Sequence, residues 1–81
     1  MFLVVNGTFS LDKAPVGEPV TLVLCLVEPS LRSRLSTLGL RCGARVEVIR
    51  STRGHAVVGV SGARIALDRT VLSKLHARGE S

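Results

Sequence analysis

The clearest pattern of apolar residues in the chain has the spacing of a short helix. Leu31, Leu35 and Leu38 stand at i, i+4 and i+7, which places them on one helical face, while arginines, serines and a threonine occupy the other side. Pro29 suits the first helical turn, where its missing N–H costs nothing. Gly39 suits a left-handed position just past the last turn, because it has no Cβ to clash there. The pattern therefore predicts a short helix with a sharp end.

The residues after the helix support this end. With Gly39 as the C′ residue, Leu40 becomes C″ and Leu35 becomes C3, and these two side chains touch in a Schellman motif. Cys42 and Gly43 supply a second turn, and strand-like residues follow at once. We interpret the whole stretch as a corner that leads from a helix into a strand, with Gly39 and Gly43 as structural turn residues.

Apolar runs and alternating patterns predict the strands around this corner. Residues 18–27 are apolar on both faces, which predicts a strand that is buried on both sides or covered by the helix after it. Ser61-Gly62 fits a two-residue hairpin turn, so Gly62 is a third structural glycine. The predicted strands cover residues 18–27, 44–50, 55–60 and 63–67.

The C-terminal part of the chain has a shorter helical pattern. Thr70 can cap a last short helix that carries Val71, Leu72 and Leu75. Residues 78–81 are predicted to be a frayed tail.

These elements together predict the fold. Four or five short strands in hairpin order, with one helix inserted after the first, are typical of a small, strongly bent antiparallel barrel whose ends are closed by the helices. The predicted protein is mainly β, with a short inserted helix and a short C-terminal helix. The barrel domain is expected to cover residues 11–77, after an N-terminal extension at residues 1–10.

Length and composition limit the class of protein. Eighty-one residues make one small domain, and the 46% of apolar residues supplies its compact core. The longest apolar run, residues 22–27, is far shorter than the roughly 20 residues that a membrane helix needs. Residues 1–5 are apolar but lack the basic start and the cleavage site of a signal peptide. We therefore expect a soluble cytoplasmic protein.

Arginine dominates the charge of the chain. The formal net charge is +5, and six arginines fall between Arg32 and Arg53, where Glu47 is the only acid. Such a stretch either steers the protein toward a nucleic acid, an acidic membrane surface or an acidic partner protein, or is simply a solvated face. Two phenylalanines, with no tyrosine or tryptophan, leave little for nucleic-acid bases to stack on.

The residue pattern gives no support to catalysis or to metal binding. There is no Ser-His-Asp or Cys-His set at meaningful spacing, no paired carboxylates and no phosphate-binding glycine loop. Cys25 is predicted to be a small core residue and Cys42 to be partly exposed in a turn. The spacings of these two with His55 and His76 match no zinc pattern. We predict no enzymatic activity, no cofactor, no metal site and no small-molecule substrate.

Two motifs in the chain are familiar. The segment from Leu35 to Arg50 reads L-x-x-L-G-L-x-x-G-x-x-V-E-V-I-R, and G-x-R-I-A-L follows from Gly62 to Leu67. Together with L-x-x-x-x-x-G at residues 11–17, they resemble the FeoA family over roughly residues 11–76. The resemblance implies an SH3-like β-barrel, a fold that also forms the C-terminal domain of repressors of the diphtheria-toxin-repressor type. It also implies a small cytoplasmic protein of bacterial ferrous iron uptake that acts with the membrane transporter FeoB.

The leading hypothesis is an adaptor that contacts the cytoplasmic part of a FeoB-like transporter and is recruited by it to the inner face of the membrane. The contact is placed on the corner and nearby loops, at Arg34, Leu38, Leu40, Arg41, Arg53 and Arg64. Against this, Leu38 could close the core, Leu40 could serve only the Schellman contact, and the arginines could be plain surface charge. Two alternatives stay open: a basic SH3-like nucleic-acid-binding domain, and self-association through exposed strand edges.

Overall fold

A computed structural model describes residues 7–79 of the chain. Most of the predicted N-terminal extension, residues 1–6, and the end of the predicted tail, residues 80–81, lie outside the described residues. A 3-10 turn at Leu11–Lys13 precedes the second strand. The strands are β1 (Thr8–Ser10), β2 (Pro19–Cys25), β3 (Arg45–Ser51), β4 (His55–Val60), β5 (Ala63–Asp68) and β6 (Leu75–Gly79), and the helices are α1 (Pro29–Thr37) and α2 (Arg69–Leu72).

The six strands form one antiparallel sheet in the order β1-β6-β2-β3-β4-β5. This confirms a mainly β protein with an inserted helix between β2 and β3. Consecutive strands from β2 to β5 pair with their neighbours, as the hairpin order predicted, and β6 returns to pair between β1 and β2. The sheet curves around one core but is not closed, because β1 and β5 are its two edges and do not pair with each other.

The predicted alternation places the core side chains of the central hairpin. Val46 and Val48 of β3 are buried, as are Ala56, Val58 and Val60 of β4. The turn between β4 and β5 is the predicted Ser61-Gly62 pair, and both of its residues have the positive φ that such a turn needs. The remaining core residues are Leu11, Val20, Leu22, Cys25, Val27, Leu35, Leu40, Leu67, Leu72, Leu75 and Ala77.

The C-terminal prediction is wrong at three residues. Leu75 does not belong to the last helix, which ends at Leu72, but begins β6, and Arg78 belongs to this strand rather than to a frayed tail. The residue that caps α2 is Asp68, not Thr70, because Asp68 Oδ1 accepts a hydrogen bond from the Val71 N–H at 2.9 Å. The short strand β1 pairs with β6, so the last strand is held on both sides.

A β-bulge in β2 decides which of its side chains face the core. The register of β2 against β6 shifts between Leu22 and Leu24. Val20 and Leu22 are buried before the shift, and Cys25 is buried after it, so the inward phase moves by one residue. The prediction that both faces of this strand are covered is therefore wrong. Leu24 is left 47% exposed.

Candidate protein-binding site

The bulge turns two leucines outward at the end of β2. Leu24 is 47% exposed and Leu26 is 55% exposed, while Cys25 and Val27 between and after them are buried. The backbone at this point is fixed, because the Leu26 N–H donates to the Lys74 carbonyl at 2.8 Å. Exposed leucines on a rigid strand end form an apolar surface that water solvates poorly.

The predicted helix end is present in full. The Leu40 N–H donates to the Leu35 carbonyl at 2.8 Å, and the Gly39 N–H donates to the Ser36 carbonyl at 2.9 Å. These are the two hydrogen bonds of a Schellman motif, and Gly39 has the left-handed φ of +99° that the motif requires. The stop turns the chain sharply back from α1 toward β3.

A second turn follows the helix end and is tied to β2. The Ala44 N–H donates to the Arg41 carbonyl at 3.0 Å, with Gly43 at a φ of +92° inside the turn. The Gly43 N–H and the Ala44 carbonyl also exchange hydrogen bonds with the backbone of Leu22, at 2.7 and 2.9 Å. Gly39, Gly43 and Gly62 thus all have positive φ, as turn residues.

The strand end, the helix and this turn enclose a pocket of about 330 Å³, which we call the leucine pocket. Its floor and walls are mainly apolar, and two exposed arginines stand at its rim. The Arg32 guanidinium is steadied there by donating from Nη2 to the Val27 carbonyl at 3.4 Å. The lining residues are Leu24, Cys25, Leu26, Arg32, Ser36, Arg41 and Cys42.

The electrostatics of the leucine pocket favour an acidic ligand. None of its lining residues is acidic, and both of its charged residues, Arg32 and Arg41, are cationic. Burial raises the pKa of the Cys25 thiol above its ordinary value, the neighbouring Cys42 thiol adds to this rise, and Arg32 opposes it. Cys25 is therefore neutral at physiological pH. The pocket combines an apolar interior with a positive rim.

The predicted contact residues differ in exposure and do not form one surface. Leu40 is completely buried, so it belongs to the core and cannot contact a partner, in line with the structural alternative. Leu38, in contrast, is 48% exposed and does not close the core. Arg34 is exposed one helical turn before Leu38, and Arg41 lines the leucine pocket.

The two other predicted arginines lie outside the leucine pocket. Arg64 lines a larger, more open groove of about 550 Å³ over the outer face of β3 and β4, together with Glu47 and Ile49. Arg53 lies in the loop between β3 and β4. Gly39 lies beside Val60 at the other end of β4, because a Cβ built on Gly39 would be 3.4 Å from Val60 Cγ2. With a rise of about 3.3 Å per residue, the six-residue strand places Arg53 roughly 17 Å from the corner.

Arg69, which was not predicted from the sequence as a key residue, clasps one end of the sheet. Its guanidinium reaches backbone carbonyls and a hydroxyl on two separate segments, so a single side chain ties the loop after β3 to the 3-10 turn. Nη1 donates to the Asp12 carbonyl at 3.1 Å and Nε to the Arg53 carbonyl at 3.3 Å. Nη2 donates to Ser51 Oγ at 2.8 Å and to the Thr52 carbonyl. No short motif signals such contacts, because any carbonyl can accept them.

Three further residues of the leucine pocket were not predicted from the sequence as site residues: Leu24, Leu26 and Arg32. Their apolar and basic character is plain in the sequence, but the outward direction of the two leucines depends on the bulge. Within residues 7–79, no group of three or more histidine, cysteine or acidic residues is arranged to hold a metal ion. No helix in this part of the chain has the length and apolar character needed to cross a membrane.

Comparison with known proteins identifies the relatives of this fold. A family model described as the FeoA domain matches residues 9–78. A crystal structure of an iron uptake regulatory protein (FeoA) superimposes with a TM-score of 0.81 at 23% identity, covering 90% of this chain and 99% of the other. The solution structure of the FeoA protein from Chlorobium tepidum gives a TM-score of 0.84 at 23% identity, covering 90% of this chain and 71% of the other.

A repressor shares the same architecture. A manganese-dependent transcriptional repressor superimposes with a TM-score of 0.79 at 15% identity; the match covers 96% of this chain but 45% of the repressor. At these identities the structures establish the fold alone, and they confirm the predicted SH3-like class. No curated protein matches the sequence.

Proposed function

The chain belongs to the FeoA family, and we propose that it is a cytoplasmic, non-enzymatic adaptor that docks on the cytoplasmic part of a FeoB-like ferrous iron transporter. Family membership supports a role in ferrous iron transport. The observation that carries the docking proposal is the leucine pocket, whose two half-exposed leucines have no structural task in the core. We infer that the partner brings the protein to the inner face of the membrane.

The chemistry of the pocket defines the segment that would fill it. A volume of about 330 Å³ accepts one or two apolar side chains. Acidic side chains on the same segment would face Arg32 and Arg41, which speeds association and fixes orientation more than it adds affinity. The proposed occupant is therefore an acidic segment of the transporter with an apolar anchor, in a strand or short helix.

Residues around the pocket extend the proposed contact. Leu38 and Arg34 lie on the same side of α1 at i and i+4, and both are exposed, so they can widen the surface beyond Arg41. Arg64 lies in the neighbouring open groove and is retained as an outer contact. We leave Leu40 and Arg53 out of the proposed surface, because one is buried and the other is remote from the corner.

The distribution of the arginines gives less support to nucleic-acid binding. Arg41 lines the leucine pocket, Arg64 lines the open groove and Arg69 is engaged in the clasp, so these cations do not share one stripe that could follow a phosphate backbone. The described residues contain one aromatic side chain, Phe9, which is half-buried against the core. A stacking platform for bases would need exposed aromatic rings.

Binding measurements at two salt concentrations test the proposal. The purified protein is titrated with the cytoplasmic domain of its host's transporter and, in parallel, with a short RNA. We expect saturable binding to the domain that survives moderate salt, because the apolar contact is not screened. RNA binding should be weak and lost with salt. Tight RNA binding without affinity for the transporter domain would refute the adaptor.

A further inference from the structure

The fold brings the two cysteines of the chain together. Cys25 ends β2 and Cys42 lies in the turn after α1, far apart in sequence, yet both line the leucine pocket. The Cys42 thiol is close enough to contribute to the raised pKa of the Cys25 thiol. Both are reduced, and they differ in accessibility, because Cys25 is 7% exposed whereas Cys42 is exposed.

The backbone holds both thiols in place. The turn that carries Cys42 is tied to Leu22 through the hydrogen bonds of Gly43 and Ala44, and Leu22 lies on the same strand as Cys25. The two cysteines therefore lie on neighbouring, mutually bonded segments and line one pocket. Neither cysteine takes part in the corner's Schellman hydrogen bonds, so the thiol pair has no part in building the helix end.

We propose that Cys25 and Cys42 form a reversible disulfide across the leucine pocket when the protein meets a peroxide. The exposed Cys42 reacts first: its sulfur attacks one peroxide oxygen, the O–O bond breaks, and a sulfenic acid and water form. The Cys25 sulfur then attacks the sulfenic sulfur, and the S–O bond breaks. The departing hydroxide takes the Cys25 proton and leaves as water. Two thiols and one hydrogen peroxide thus give one disulfide and two waters.

The order of these steps follows from the surroundings of the two sulfur atoms. Cys25 is shielded from an oxidant in solution, and burial raises the pKa of its thiol, so it is a poor first target. It is well placed to resolve an oxidised Cys42, since both side chains line the leucine pocket. An external dithiol reverses the bond by exchange and returns both thiols.

The bond changes the surface that we propose for docking. Cys25 lies at the floor of the pocket between Leu24 and Leu26, and Cys42 lies at its rim beside Arg41. Joining them draws the rim against the floor and removes space for an apolar side chain. We infer that the oxidised protein binds the transporter domain more weakly, an inference that rests on the proposed function.

The chemistry is tested on the full reduced chain with hydrogen peroxide and needs no partner. We expect a monomer that has lost two hydrogens in its intact mass and two titratable thiols, with a proteolytic fragment that joins Cys25 to Cys42. Dithiothreitol should restore both thiols. Two results would overturn the proposal: a protein whose intact mass has increased by oxygen while the Cys25 thiol remains titratable, or a disulfide-linked dimer.

Two variants assign the roles of the cysteines. In Cys25→Ala, a sulfenic acid on Cys42 should persist long enough to be trapped by dimedone. Cys42→Ala should lose the rapid reaction with peroxide, since its remaining thiol is buried. The wild-type mass measurement stands even if Cys25→Ala fails to fold, because it involves no substitution in the core. Equal peroxide reactivity of wild type and Cys42→Ala would contradict the assigned order.

A separate binding measurement on the reduced and oxidised proteins tests whether the disulfide weakens docking. If the reduced protein binds the transporter domain, the oxidised protein should bind at least several-fold more weakly, and dithiothreitol should restore the affinity. Equal affinities would contradict the effect of the disulfide on docking, but not the formation of the disulfide itself. If neither form binds, the docking proposal fails, and the mass measurement still decides whether the disulfide forms.

Discussion

Two short helices connect strands in this fold, and they are fixed by different means. α1 ends in backbone hydrogen bonds around Gly39, a residue without a side chain. α2 begins with Arg69, whose long side chain reaches across to carbonyls of two other segments. The first connection is local in sequence, and the second joins residues that are distant in sequence.

The surfaces of the two connections differ as well. α2 buries Leu72 completely and half-buries Val71, so its apolar side chains are used by the core. At the α1 corner Leu38 is about half exposed, and Leu24 and Leu26 at the end of β2 are exposed to a similar extent. A connection that is held by its own backbone can expose apolar side chains without losing its shape. The Arg69 clasp thus has a structural role, whereas the proposed docking surface lies at the corner.

Removing the Arg69 clasp is expected to have the largest effect. Arg69→Ala deletes several charge-assisted hydrogen bonds at once, and we expect the free energy of unfolding to fall by about 2–4 kcal/mol, less than the sum of the single bonds. Chemical denaturation measures the change. Arg50→Ala, an exposed arginine on β3, is the control and should stay within about 0.5 kcal/mol of wild type. A loss equal to that of the control would contradict the clasp.

A smaller loss is expected at the helix end. Gly39→Val forces a β-branched residue to a φ of +99°, which costs on the order of 1–3 kcal/mol. The strain comes from the backbone, since the added Cβ would be no closer than 3.4 Å to Val60. Gly54→Val is the matched control, because Gly54 has no left-handed φ and no atom near its Cβ position. Equal melting temperatures for the two variants would rule out the helix-stop interpretation.

Charge reversal sharpens the assignment of binding to the corner. Arg41→Glu reverses a charge at the rim of the leucine pocket, and we expect affinity for the transporter domain to fall about tenfold, mainly through slower association. Arg53→Glu carries the same charge change on the remote loop and should alter affinity by less than about twofold. Surface plasmon resonance distinguishes the two. A larger effect at Arg53 would move the contact to the loop after β3.

Most of the corner could be predicted from the sequence because it depends on local chemistry. Pro29, the leucine spacing and Gly39 each restrict the backbone within a few residues, and together they specify the helix and its end. The alternating strands β3 to β5 were predicted for the same reason. In these strands the turn residues and the alternation of apolar residues indicate the same antiparallel hairpins, and the structure contains them.

The errors arose where distant parts of the chain decide the structure. Val71, Leu72 and Leu75 have helical spacing, yet Leu75 pairs with Cys25 on β2, and this pairing ends the helix. The β2 sequence is apolar on both faces, so its pattern contains no information on register, and the bulge could not be inferred. For this reason the outward direction of Leu24 and Leu26 could not be predicted from the sequence. The leucine pocket became visible only in three dimensions.

The most direct test of the docking site is a comparison of two sets of exposed apolar residues. Leu24→Ser combined with Leu26→Ser removes the apolar wall of the pocket, whereas Val16→Ser changes an equally exposed side chain, at 54%, elsewhere on the surface. Both proteins should keep the stability of wild type within about 0.5 kcal/mol, since these side chains are outside the core. Calorimetric titration with the transporter's cytoplasmic domain then measures the affinities.

We predict that the double variant binds about thirtyfold more weakly, because two leucines lose on the order of 1 kcal/mol each of apolar burial. Val16→Ser should bind like wild type. A double variant with undiminished affinity, or a loss confined to Val16→Ser, would contradict docking at the leucine pocket.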